Sequence, residues 1–159
     1  MEQTEFDIRF VPLRDKLYRF ACSLLGRGED AEDAVHDVLE RLWRKHDQLQ
    51  IANPDAFAMT AVRNACFDRM RRRHGTEPIP EALCSGEGND WSDREMVRQA
   101  LAALPVRQRE VLHLKEIEGY PTHEIARLLS TDESQIRVLL SRGRSRLREQ
   151  IEKMMNYGI

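Results

Sequence analysis

Five arginines, Arg137, Arg142, Arg144, Arg146 and Arg148, fall within residues 135–148, and no acidic residue interrupts them. A guanidinium group is always charged and offers a planar fork of N–H donors, which fits phosphate oxygens and the edge of guanine. If this stretch is helical, Arg137, Ser141, Arg144 and Arg148 recur at i, i+4, i+7 and i+11 and share a face, with Arg142 and Arg146 flanking it. Ile136, Leu139, Leu140 and Leu147 then point inward, and Gly143 permits a close approach. The bland alternative is a solvated basic face on a packing helix. A run without a single acid weighs against it.

The residues before that run complete a recognisable unit. A short amphipathic segment from Pro121 presents Ile125, Leu128 and Leu129, and Ser130-Thr131 makes a tight turn. Asp132 is a natural N-cap for the basic helix, with Gln135 at the capping-box position. Two helices, a tight turn and a basic outer face on the second helix describe a helix-turn-helix, whose second helix enters the major groove.

A second cluster lies in residues 57–73. Thr60, Arg63, Asn64, Phe67 and Arg71 form one helical stripe that runs into Arg71-Arg72-Arg73. Basic groups, an amide and an aromatic on one surface suit a single strand and an unstacked base. The structural alternatives are a core role for Phe67 and an arginine run that merely complements the helix dipole. Phe57, Ala58, Ala61, Val62, Ala65 and Cys66 form the opposing apolar stripe.

Enzymatic chemistry finds little support. His123-Glu124 begins like a zinc-protease motif, but Arg127 stands where the second histidine belongs. His36, His46, His74 and His113 lack partner cysteines at ligand spacing, and no phosphate-binding glycine loop or nucleophile elbow is present. No metal, cofactor or small-molecule substrate is expected. Two rivals remain: a recombinase or nuclease with a C-terminal helix-turn-helix, and a free-standing repressor or activator that binds DNA alone.

The elements that must position these groups read as helices almost throughout. Apolar residues recur at helical spacing from Phe6 to Leu25, ending at Gly26 and Gly28. A second helix over 29–49 buries Ala34, Val35, Val38, Leu39, Leu42 and Trp43. Its other face carries Asp33, Asp37, Glu40, Arg41 and Arg44, with Asp37–Arg41 and Glu40–Arg44 spaced as i,i+4 pairs. A third helix starts at Asn53 as N-cap and Pro54 as first helical residue, and runs to Arg73. Residues 74–91, with two prolines, three glycines and an acidic bias, read as a flexible linker. Beyond it, Ser92 and Glu95 have capping-box spacing, a helix runs to Leu104, and Pro105 opens another that ends near Gly119. The expected fold is all-α: an N-terminal helical domain over 1–73, the acidic linker over 74–91, and a C-terminal domain over 92–159 that contains the helix-turn-helix.

The whole-chain charge of −2 conceals this layout. Residues 57–74 hold five basic and one acidic side chain, whereas residues 75–96 hold one basic and six acidic. Phosphate attraction follows the local patch. No apolar run approaches the ~20 residues of a membrane span, and the acidic start lacks the layout of a signal peptide. A cytoplasmic protein without membrane insertion is expected. Cys22, Cys66 and Cys84, odd in number and widely spaced, read as reduced thiols.

The order DAEDAVHDVLERLW, NPDAFAMTAVRNACFDRMRRR, an acidic linker, then ALAALPVRQREVLHLKEIEGYPTHEIARLL and RGRSRLRE resembles the extracytoplasmic-function group of bacterial sigma factors. The resemblance spans residues 6–150; the helix-turn-helix alone would equally suit LuxR-type regulators. It implies a factor that binds core RNA polymerase and directs promoter recognition. Asp33, His36, Asp37, Glu40 and Arg41 would meet the clamp helices of the polymerase largest subunit. The third helix, through Arg63, Asn64, Phe67, Arg71, Arg72 and Arg73, would recognise and melt the downstream (minus-ten) promoter element, with Asn64 close to a flipped base. Arg137, Val138, Ser141 and Arg142, with Arg144 and Arg146, would read the upstream (minus-thirty-five) element. The resemblance further implies an anti-sigma factor as partner. This chain departs from the family pattern at Phe57 (usually tryptophan), Pro121 (usually an N-cap serine), Ser130 (usually glycine) and Leu139 (often basic). Nothing matches the middle domain of housekeeping sigma factors.

Overall fold

The computed structural model describes residues 2–48, 52–73 and 93–156. The chain divides into two compact units, Met1–Pro80 and Glu81–Ile159. The linker expected over 74–91 and the capping role expected of Ser92 lie outside the described residues. Every regular element among the described residues is helical.

In the first unit, α1 (Gln3–Phe10) leads through a single 3-10 turn, Val11–Leu13, into α2 (Arg14–Leu25). The expected continuous helix is thus broken, and Pro12 is the cause: it lacks an N–H, and its ring clashes with the preceding turn. Gly26, at φ 79°, closes α2 in the left-handed conformation. Next come α3 (Gly28–Arg44) and α4 (Pro54–Arg72). Asn53 caps α4 as expected, its Oδ1 accepting from the Ala56 N–H at 3.1 Å.

Helices α2, α3 and α4 pack on one another. Their shared core holds Leu17, Phe20 and Leu24 of α2, Ala34, Val35 and Val38 of α3, and Ala58, Met59, Val62 and Cys66 of α4. Burying each large apolar side chain here contributes about 1.5–3 kcal/mol. One expectation for α4 changes: Phe57, placed in the apolar stripe, is 43% exposed, whereas Met59, outside that stripe, is fully buried. Met59 sits one turn before Val62 and three residues before it on the core side, so the buried stripe is wider than the alanine-rich spacing suggested.

Cys66 is a free, buried thiol, pushed up to about 12 by burial against the opposing influence of Arg69. Cys22 is disulfide-bonded, which corrects the expectation of three reduced thiols.

In the second unit, α5 (Asp93–Ala102), α6 (Val106–Leu112) and α7 (Thr122–Leu128) all pack against the long α8 (Glu133–Asn156). Pro105 is the N-cap of α6 and not its first helical residue. Arg109, almost buried, donates to the backbone oxygens of Leu104 at 2.8 Å and Ala102 at 3.3 Å, tying α6 to the end of α5. Burial lowers the pKa of its guanidinium, and the neighbouring Glu110 carboxylate opposes that shift.

Helix α6 continues into a π-helical turn, His113–Ile117, before Gly119 (φ 79°) ends it. The Glu118 N–H bonds the His113 carbonyl at 3.0 Å, an i,i+5 contact. The same wide turn brings His113 Nε2 within 2.8 Å of Glu118 Oε2, where both side chains are buried. At Gly143 the ideal position of a Cβ lies 3.0 Å from Leu112 Cδ1, so the missing side chain lets α8 settle onto α6.

Candidate nucleic-acid interface

Helices α7 and α8 realise the helix-turn-helix. Ile125, Leu128 and Leu129 are buried, as are Ile136, Leu140 and Gly143 of α8, while Leu139 and Leu147 are half-buried. Ser130 occupies the turn at φ 56°, the left-handed region that glycine enters without steric cost. Asp132 Oδ1 accepts from the Gln135 N–H at 2.9 Å and from Ser134 Oγ at 2.9 Å. Those two bonds hold its carboxyl below the usual aspartate range and start α8 with a firm cap.

The outward arc of α8 follows from its buried side. Opposite Ile136, Leu140 and Gly143 lie Val138, Ser141 and Ser145, all exposed. Val138 is 41% exposed, an apolar side chain among serines and arginines. The arginines occupy both flanks and divide into two classes. Arg142, Arg146 and Arg148 are exposed and carry no ion pair among the described residues. Arg144 reaches Glu116 within the π-helical turn, with Nη2 2.6 Å and Nε 3.2 Å from Oε2. Arg137 lies 3.7 Å from Glu133, one turn earlier. Two of the five arginines, Arg137 and Arg144, are thus tethered to acids.

On α4 the expected stripe is present, but its members are not equally available. Asn64 is exposed, and Arg63 and Phe67 are half-buried. The Arg63 guanidinium sits 4.4 Å from the Phe67 ring centroid, covering one face of it. Such a contact is worth roughly 0.5–1 kcal/mol at an exposed site, less than the roughly 1–3 kcal/mol of stacking a base, so a base can displace it.

The arginine run splits three ways. Arg71 is bonded to Asp68, Arg72 is exposed with no ion pair among the described residues, and Arg73 is bonded to Asp30 of α3. At 100° per residue Arg71 returns to the face of Asn64, whereas Arg73 falls on the opposite side of the helix.

Asp33, His36, Asp37, Glu40 and Arg41 are all exposed along α3. Glu40 pairs with Arg44 at 3.4 Å as spacing predicted. Asp37, expected to pair with Arg41, instead accepts from Arg69 of α4 at 2.6 Å. Sequence reading passed over Arg69, although it continues the stripe Ala58, Val62, Ala65 at helical spacing and so had to face α3. Glu116 carried no such signal, because 28 residues separate it from Arg144.

Among the described residues no cluster of three His, Cys, Asp or Glu side chains is placed to hold a metal ion, and no helix is long and apolar enough to cross a membrane.

Fold and surfaces together define a bipartite helical DNA-binding protein. Two family models match: Sigma-70 region 2 over residues 10–76 and Sigma-70, region 4 over residues 94–147. The chain is 30% identical over 146 residues to the ECF RNA polymerase sigma factor SigM of Mycobacterium tuberculosis, covering 89% of this chain and 74% of that one. It is 28% identical over 156 residues to the RNA polymerase sigma-E factor of Streptomyces avermitilis, covering 95% and 87%. Among solved structures it is similar to the sigma factor RpoE of Bartonella quintana, crystallised with the anti-sigma factor NepR. That match has a TM-score of 0.79 and 26% identity, covering 93% of this chain and 97% of the other. This chain belongs to the extracytoplasmic-function group of RNA polymerase sigma factors, which act in promoter recognition and transcription initiation.

Proposed function

We propose that this sigma factor divides its work between the two units along the surfaces described above. Residues 1–73 bind core polymerase and open the downstream element, residues 74–91 link, and residues 92–159 read the upstream element. The observation that carries this reading is the outward arc of α8, with Val138, Ser141 and Arg142 exposed on a helix whose opposite side is committed to the core. Arg142 and Arg146 serve there as unpaired donors. Val138 offers its methyl groups to a thymine methyl.

Asp33, His36, Glu40 and Arg41 form the polymerase-facing surface of α3. Arg63, Asn64, Phe67, Arg71 and Arg72 form the strand-holding surface of α4. The protein acts by binding alone, without catalysis, in the cytoplasm where polymerase is found. By analogy with RpoE of Bartonella quintana, it is held by an anti-sigma factor. Run-off transcription with core polymerase, with and without the protein, tests the reading. Promoter-specific transcripts are expected only when both are present. Tight specific DNA binding without polymerase would favour a free-standing regulator instead.

A further inference from the structure

Asp37 Oδ2 accepts from Arg69 Nη2 at 2.6 Å across 32 residues of chain. Nearer the start of α3, Asp30 is bonded to Arg73 across 43 residues. The pairs run in antiparallel order: the earlier acid on α3 meets the later base on α4. Each joins a helix whose outer surface has one task to a helix whose outer surface has another.

We propose that Asp37–Arg69 and Asp30–Arg73 form an interhelical clamp, with Arg69 as the positioning residue that sets α4 relative to a polymerase-docked α3. This inference rests on the division of surfaces proposed above and reassigns Asp37 and Arg73, which the family resemblance gave to polymerase and to DNA. Asp37 acts on α4 and not on polymerase, and Arg73 acts on α3 and not on DNA.

Three observations carry the reassignment. Arg69 is the more buried partner, 23% exposed against 57% for Asp37, so its guanidinium is drawn into the α3–α4 seam. Arg73 lies on the side of α4 away from Asn64, whereas Arg71 lies beneath it. Both acids already hold a guanidinium through a charge-assisted hydrogen bond, the stronger kind of polar contact. Half-exposed pairs add little to overall stability. Their contribution is orientation: the other contacts of α4 run through Ala58, Met59, Val62 and Cys66, and apolar packing lacks the directionality of a charge-assisted hydrogen bond.

The test uses the full chain with core polymerase on a duplex promoter, comparing Asp37→Arg, Arg69→Asp and the exchanged double variant. Each single variant is expected to bind core polymerase as the native protein does, and to lower permanganate reactivity of the promoter bubble by about threefold to tenfold. The double variant is expected to restore it. Asp37→Asn and Arg69→Gln, which remove charge without reversing it, should show the same direction if a reversed variant folds poorly by circular dichroism.

A loss of polymerase affinity in Asp37→Arg that Arg69→Asp does not repair would return Asp37 to the polymerase surface and overturn the clamp. A defect in Arg69→Asp that the exchange leaves untouched would make Arg69 a direct DNA contact, with the same consequence. Unimpaired opening by every variant would also overturn it. A native protein that fails to direct promoter-specific transcription would instead sink the division of surfaces on which the clamp rests.

Discussion

Arg144 and Glu116 are joined by two N–H donors converging on one carboxylate oxygen, at 2.6 and 3.2 Å, across 28 residues of chain. The acid lies between His113 and Glu118, the buried pair that pins the π-helical turn, so its backbone is well anchored. A cation held this way is partly neutralised before any phosphate arrives. Glu116→Gln should release it, raising the affinity of the holoenzyme for unrelated duplex DNA and steepening the log–log salt dependence by about one unit. Salt titrations of the two proteins decide it; identical slopes would mean that Arg144 stays clear of phosphate either way.

Arg142 has no such tether. Arg142→Ala should cost about 1–3 kcal/mol of discrimination at one or two base pairs of the upstream element, because a bidentate base contact is lost. Selection of preferred duplexes from a randomised upstream element, using holoenzyme, would reveal the relaxed positions. Arg146→Ala should instead weaken all sequences alike and reduce the salt slope. If both variants keep the native preference and slope, reading is done elsewhere on α8.

Opening DNA costs a few kcal/mol of unstacking for each extruded base, which the protein must recover by holding it. The exposed amide of Asn64 offers both a donor and an acceptor for a Watson–Crick edge. Asn64→Ala should leave polymerase binding and upstream recognition nearly native while impairing bubble formation on duplex promoters. A pre-melted template should restore much of the activity. Native permanganate reactivity on duplex DNA would reduce Asn64 to a structural amide.

Ser130 holds a left-handed conformation at φ 56°, where a Cβ crowds the following carbonyl. Ser130→Gly should raise the stability of the C-terminal unit by up to about 1 kcal/mol, since glycine adopts this geometry without that crowding. Thermal unfolding followed by circular dichroism gives the sign. A lower midpoint would show that the added freedom of glycine in the unfolded chain outweighs the relief.

The helices were legible because apolar spacing and caps act locally. Asn53 and Asp132 each announce a helix start and each accepts the bond that spacing predicts. Pro12 was equally visible, yet the flanking apolar period hid its effect. The base-facing roles on α8 came from family resemblance; periodicity alone gave only the basic face. What sequence concealed was partnership across the chain. Asp37 had a plausible mate four residues away in Arg41, and the fold supplied a better one in Arg69. Local spacing also cannot reveal a π-helical turn, because the i,i+5 contact of His113 with Glu118 differs by a single residue from an ordinary helical one.

The glycine at 143 has a reach beyond its own packing. A single added methyl at that point would crowd Leu112, so that either this side chain or α8 must give by a few tenths of an ångström. Hydrogen bonds to base edges occupy a narrow window of distance, about 2.7–3.2 Å between heavy atoms. Lifting the helix would therefore change how far Val138 and Arg142 protrude without altering either of them. On the proposed reading, promoter preference is stored partly at a position that never faces nucleic acid, as the thickness of a shim determines how deep a key sits in its lock.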